Sequence, residues 1–245
     1  MSTFAYTRFE LRRTFRNRRF LIFALGFPLV LYFITAGPNR DEANLNGSGI
    51  SAPVYFMVGM AAWGTMMSML STGARISGER AVGWNRQLRI TPLSSRSYLA
   101  TKIATAYATA LLALVTMYVA GAILGVRLDA GRWIEMSVLI LIGLIPFAAL
   151  GILIGHLLST DSIGPAMGGG VGLLGIVSGI WFPLDKGSFL HDIGEQLPSY
   201  WLVQAGHVGI GGDGWPAHGW IVLGVWTVVL GSLAARAYRR DTGRQ

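Results

Sequence analysis

The stretch "GERAVGWNRQLRITPLSSRS", residues 78–97, carries four arginines, one glutamate and a single tryptophan between two long apolar runs. Those runs, Pro53 to Gly73 and Ile103 to Val126, are each long enough to cross a hydrocarbon core, which needs about 20 apolar residues to span ~30 Å as a helix. Working outward, the chain offers six such runs in all, the others being Phe20 to Ala36, Trp133 to Leu158, Ile163 to Phe182 and Ala217 to Ala235. Only "STDS" separates the fourth from the fifth, so a single broken hairpin is an alternative there. With 52% hydrophobic and 13% charged residues in 245, the composition is that of a membrane protein. The expectation is an all-α integral membrane protein of six transmembrane helices, one domain over residues 1–245. The basic lead before the first run is like that of a signal peptide, but no small-residue cleavage pattern follows, and the segment reads as retained.

The net charge of +8 is segregated along the chain. Arg8, Arg12, Arg13, Arg16, Arg18 and Arg19 precede the first run; Arg75, Arg80, Arg86, Arg89, Arg96 and Lys102 lie between the second and third; Arg236, Arg239, Arg240 and Arg244 close the sequence. The alternate loops hold Arg40, Arg127, Arg132 and Lys186 against eight acids. By the positive-inside rule both termini and residues 74–102 are cytoplasmic. Topology therefore accounts for the basic excess, and nucleic-acid binding, which needs a contiguous basic face with base-reading groups, is discounted.

Several chemistries find no residues to carry them. The six apolar cores contain no Asp, Glu, Lys or Arg away from their ends, where Glu135 and Lys102 fall, which argues against a proton or sodium relay. His156 and His218 also fall near span ends, where packing is the common role of a histidine. There is no H-E-x-x-H, no G-x-S-x-G and no P-loop, so any ATP that powers the protein is bound by another subunit. The chain has no cysteine, hence no disulfide and no thiolate metal site. In "GPAMGGGVGLLGIVSG", Gly168 and Gly172, then Gly175 and Gly179, are four apart on one helical face, a spacing for close backbone approach; packing inside one subunit is favoured over a subunit contact.

The opening stretch is longer than a plain connection needs. Gly78 to Arg89 lacks proline and can form a helix lying crosswise, with Ala81, Trp84 and Leu88 on one side and Glu79, Arg80, Arg86 and Arg89 on a charged edge. Thr91-Pro92 ends it, and Ser94 or Ser95 can cap the third span. An interfacial helix, a topology signal or solvated padding would also suit the arginines. Tryptophan with an arginine rim suits a docking element better.

Here the sequence resembles the membrane subunits of type-2 ABC exporters, the permease family that includes the daunorubicin-resistance permeases. The run E-R-x-x-G-T/W-x-x-x-L-x-x-T-P-L-S is matched by Glu79, Arg80, Gly83, Trp84, Leu88, Thr91, Pro92, Leu93 and Ser94. A second match covers "FPLDKGSFLHDIGEQLPSYWLVQAG", Phe182 to Gly206. The resemblance implies an N-terminal amphipathic connecting helix (1–19) with Phe9, Arg12, Arg13 and Arg16 toward the interface. It further implies a coupling-helix loop (74–97) in which Glu79, Arg80, Gly83, Trp84, Arg86 and Leu88 meet a separate ATPase. An extracellular re-entrant segment (183–212) would use Pro183, Pro198 and Trp201 as a gate, its apolar side formed by Phe189, Ile193, Leu197, Trp201 and Leu202. Phe56, Met60, Trp63, Met67, Met167 and Trp181 are candidates for a path lining.

The implied function is that of a permease subunit, not itself an enzyme. It would export an amphipathic drug, antibiotic or lipid from a bacterial cell across the plasma membrane. No cofactor is expected in this chain; ATP and Mg would sit in the partner. The implied partners are two ABC ATP-binding subunits, a second permease as homo- or heterodimer, and the lipid bilayer. The alternatives are a non-transporting scaffold or sensor and an ion-coupled carrier.

Overall fold

The computed structural model describes residues 3–45, 49–84, 87, 93–208 and 214–243, and among them the regular elements are all helical. Helix α1 (Thr3–Arg16) is followed by α2 (Arg18–Leu21), a π-helical turn (Ile22–Gly26) and α3 (Phe27–Ala36). Next come α4 (Ala52–Ala81), α5 (Ser95–Ile123), and α6 (Ala130–Gly143) with α7 (Ile145–Leu157), which together run as one kinked rod. Then α8 (Thr160–Pro165), a second π turn (Ala166–Gly170) and α9 (Val171–Val177) precede α10 (Phe189–Gly194), α11 (Pro198–Val208) and α12 (Ala217–Gly243).

Among the described residues four helices are long and apolar enough to cross a membrane: α4, α5, the α6–α7 rod and α12 through Asp241. The other two apolar runs expected to span form interrupted helices instead. In the first run the π turn precedes Pro28, in the first turn of α3. In the fifth, Pro165 and the glycines 168–170 coincide with the second π turn, and Gly179, at φ 73°, ends the helix. Proline removes a backbone donor and glycine relaxes the ladder, so π geometry falls where the sequence is weakest as a helix.

Helix α4 is the axis of the bundle, packed by α3, α5, α7 and α11. Its core is rich in methionine, with Met57, Met60, Met66 and Met69 fully enclosed, unbranched side chains that fill irregular gaps between helices. At the α4–α7 crossing the backbones meet through glycine: a Cβ on Gly151 would lie 2.6 Å from the Met69 carbonyl oxygen, and one on Gly155 would lie 2.9 Å from Gly73 Cα. Tyr32 donates to the Pro53 carbonyl at 3.1 Å and anchors α3 to the start of α4.

At the opposite end from the arginines, α11 lies against α6 and α4, burying Trp201, Leu202, Val203 and Ala205. Trp226 Nε1 donates to the Gln196 carbonyl at 2.8 Å. Trp226 is nine residues into α12, so the α10–α11 turn sits roughly 13 Å down that helix at 1.5 Å per residue. The apolar side predicted for this segment divides: Trp201 and Leu202 are buried and Leu197 is half-buried, whereas Phe189 is 77% exposed and Ile193 is exposed as well. The two short helices turn different faces to the bundle, so one stripe cannot serve both.

The glycine crossing predicts a sharp asymmetry. Gly151→Leu should destabilise the protein by about 1–3 kcal/mol through overpacking, whereas Gly172→Ala, where nothing lies within 4 Å of a new Cβ, should stay within about 0.5 kcal/mol of the parent. Thermal unfolding in detergent distinguishes them.

Candidate functional site: the charged end of the bundle

Helix α1 packs on the first turns of α5 with a narrow stripe at four-residue spacing, Tyr6, Glu10 and Thr14, all buried. Hydroxyls mark the contact: Thr3 Oγ1 donates to Ser97 Oγ at 3.1 Å, and Thr7 Oγ1 lies 2.9 Å from Thr101 Oγ1. Ser94 caps α5, its side chain accepting from the Ser97 N–H at 3.2 Å. That cap fixes where α5 begins, and so places Tyr98 and Lys102 one turn apart on the face toward α1 and α4.

Lys102 Nζ donates to Glu10 Oε2 at 2.9 Å and to Glu79 Oε1 at 2.6 Å, and all three side chains are at most 2% exposed. Tyr98 donates its hydroxyl to Glu79 Oε2 at 2.7 Å. Arg13 closes the group from the half-exposed side, 2.9 Å from Glu79 Oε1 and 3.4 Å from Glu10 Oε1. Burial works against the Arg13 charge, but the Glu79 and Glu10 carboxylates outweigh it and hold the guanidinium above its ordinary pKa. Tyr6, stacked on Tyr98 at 6.2 Å, is pushed far above the usual phenol range by burial and by the same two carboxylates. Arg75, one turn before Glu79, donates to Thr14 Oγ1 at 3.3 Å and to Thr72 Oγ1 at 3.2 Å.

A second ionic group lies on the other side of α4. Arg80 Nε is 2.8 Å from Asp241 Oδ2, and His156 Nδ1 is 3.0 Å from the same oxygen. Arg80 Nη1 also donates to the Gly155 carbonyl at 3.0 Å, and Ser77 Oγ to the Leu158 carbonyl at 3.0 Å. Tyr238 stands edge-on to the His156 ring at 5.3 Å. The last turns of α4, α7 and α12 are thereby joined.

These contacts revise the predicted crosswise helix. Helix α4 continues to Ala81, so Glu79 and Arg80 are its last internal turn and not a charged edge facing outward. The helix survives there because each charge finds partners inside the protein. It ends at Gly83, whose φ of 69° is the left-handed geometry of a helix stop, with the Gly83 N–H donating to the Arg80 carbonyl at 3.1 Å. Val82, just before it, is 74% exposed. Trp84 is half-buried, near enough to Tyr6 to lower its pKa slightly against the larger upward push. Arg86 and Leu88, with Arg89, Thr91 and Pro92, lie outside the described residues. On α1, Phe9, Arg12 and Arg16 are exposed and line an open groove with Arg13 and Asn17.

The candidate path residues do not form one lining. Met60 is wholly enclosed in the core. Trp63 and Trp181 pack together at 5.0 Å, and Phe56, Met67, Met167 and Trp181 sit partly buried at the core edge. Of the re-entrant residues, Pro198 and Trp201 are buried and Pro183 is half-buried. The paired glycines also part company. Gly175 and Gly179 have Trp181 and Leu184 beside them, whereas Gly168 and Gly172 face open space.

Glu10, Tyr98 and Asp241 have no role in the sequence reading, and His156 is there only a packing residue. Glu10 was visible as the lone acid in an arginine-rich helix, and Asp241 as the lone acid of the basic tail.

Comparison with known proteins places this arrangement in context. The family model described as ABC-2 type transporter matches residues 1–210. YvfS of Bacillus subtilis (strain 168), provisionally named a transport permease, is 28% identical over 195 residues, 78% of each chain. No solved structure matches the chain.

Removing the shared cation should be costly. Lys102→Met leaves two carboxylates buried against Arg13 alone and should destabilise the protein by about 3–5 kcal/mol; adding Glu10→Gln should recover part of that loss, because one uncompensated charge goes with it. Thermal unfolding of the two variants in detergent tests the order.

Proposed function

Because this chain belongs to the ABC-2 type transporter family, we propose that it is the membrane permease of an ABC exporter, driven by ATP that a separate subunit binds and hydrolyses with Mg. The observation that carries this reading is the assembly at the charged end: α1, the last turn of α4 and the first turns of α5 are bound by buried ions into one unit. At its edge Val82 projects, 74% exposed, just before the helix stop at Gly83. A protruding apolar side chain on a helix end that cannot bend freely suits a surface that a moving partner grips.

In this reading the chain has six spans, the interrupted first and fifth helices included, with both termini and the segment beyond Gly83 in the cytoplasm. The positive-inside rule supports that sidedness, as do the ionic contacts of Glu10, Glu79, Arg80, Lys102 and Asp241, which draw together parts of α1, α4, α5 and α12. The α10–α11 segment is the outer re-entrant element; irregular backbone at such depth is tolerated when protein covers it, and α11 is covered by α4 and α6. A second permease completes the path, its contact supported by the open face at Gly164, Gly168 and Gly172. The substrate class is amphipathic, in keeping with partly buried aromatic and methionine side chains at Phe56, Met67 and Trp181 and apolar runs that carry no charge away from their ends.

Co-expression with the ABC ATP-binding subunit of the same genome, purification and reconstitution into proteoliposomes tests the proposal. The ATP-binding subunit should co-purify, and compounds that stimulate its hydrolysis should be moved out of the compartment that holds ATP. Val82→Asp should reduce capture of that subunit at least several-fold while leaving the permease's unfolding midpoint unchanged. Transport by the chain alone, without a nucleotide-hydrolysing companion, would sink the reading.

A further inference from the structure

Resting on the ATP-driven reading above, we infer that the adjacent pair Glu79-Arg80 is a branch point, at which movement of the segment beyond Gly83 divides between two sets of helices. Neighbouring residues on a helix point about 100° apart, and here the two side chains leave α4 in different directions. Glu79 holds Lys102 and Tyr98 of α5 and Arg13 of α1. Arg80 holds Asp241 of α12 and the Gly155 carbonyl of α7, with His156 on the same Asp241 oxygen. Among the described residues the ion pairs of the two groups share no side chain. The α4 backbone between residues 79 and 80 therefore joins the two ionic groups covalently.

Three features make the pair a transmitter and not merely two anchors. First, each arm is charge-assisted, the Glu79 arm enclosed and the Arg80 arm partly shielded, so parting one side chain from its partners strands a charge and costs more than sliding an apolar contact. Second, α4 is held stiffly just before the pair by the glycine crossing with α7 at Gly73, Gly151 and Gly155, so displacement at its end moves the partners before it bends the shaft. Third, the α-helix stops immediately beyond, at Val82 and Gly83, which makes Glu79-Arg80 the last helical turn that an external push on the following segment meets. Coupling between sites travels through such stiff elements and ionic contacts when both ends bias the same arrangement. Glu79 and Arg80 are positioning residues in this scheme; neither touches nucleotide or cargo.

The test is hydrogen exchange by mass spectrometry on the permease bound to its ATP-binding subunit, without nucleotide and after trapping with ATP and vanadate. In the nucleotide-free state Lys102→Met should raise exchange in residues 3–16 and leave 231–241 unchanged, and Asp241→Asn should do the reverse. Trapping should change exchange at both ends of the unmutated protein. Lys102→Met should abolish the response at 3–16 and keep it at 231–241, and Asp241→Asn should abolish only the response at 231–241. Lys102→Arg and Asp241→Glu should restore the respective responses, a rescue that general misfolding would not give. If either variant silences both ends, or neither variant silences its own end, the branch does not exist. If the unmutated complex forms but shows no nucleotide response at either end, the ATP-driven reading fails and the branch falls with it; an intact response that survives both variants overturns the branch alone.

Discussion

The structure turns on a problem of charge. Glu10, Glu79 and Lys102 are removed from water almost completely, and an isolated ion so placed costs several kcal/mol even after relaxation. The cost is offset only when the partners are all present, in hydrogen-bonding geometry, and they come from three elements far apart in sequence, α1, α4 and α5. None of the three can settle without the others. The N-terminal helix, which shows the bundle only a narrow stripe, is held by this ionic contact, a few hydroxyls and the buried ring of Tyr6 on Tyr98. Such a joint is directional: it specifies one seating of α1 where a greasy contact would tolerate several.

The rest of the fold serves that joint by keeping α4 in place. Methionines fill the irregular space around its middle, and glycines let α7 approach it closely, since bare packing, not the hydrophobic effect, associates helices in lipid. At the far end Tyr32 and Tyr55 fix its beginning, the first to the Pro53 carbonyl at 3.1 Å and the second to the Gly179 carbonyl. A helix constrained along its length and at both ends moves as a rod. The weaker places lie elsewhere, in the two π turns at 22–26 and 166–170, and π geometry is often found where helices serve function.

Much of this was legible in the sequence. The apolar runs gave the helices because bilayer thickness sets their length, and the polar stretch that opens at Gly78 marked where the long α4 helix gives way. What misled was reading charge as exposure. Glu79 and Arg80 looked like the start of a surface helix, yet each has internal partners, and those partners let α4 run on to Ala81. Lys102 looked like an end residue because its compensation by Glu10 lies 92 positions away, a pairing that periodicity cannot express. His156 and Asp241 escaped for the same reason. Gly151 and Gly155 stand four apart just as the glycines of the richer run at 164–179 do, yet the close helix crossing is at 151 and 155 while half of the richer run faces open space.

That open face bears on why two of the six apolar runs are interrupted. In a single copy, the backbone of the second π turn is shielded from lipid by little more than glycine hydrogens, and lipid offers no partners to a loosened hydrogen-bond ladder. A helix that unwinds partway with its small residues outward is poorly suited to face hydrocarbon and well suited to lie against another backbone. By contrast, the last helix exposes Ile221, Val225, Val228 and Val229, bulky side chains that shield their own backbone and suit acyl chains. The molecule thus has two kinds of outer surface: along α12 bulky side chains cover the backbone, whereas across α8, the second π turn and α9 glycines leave it bare.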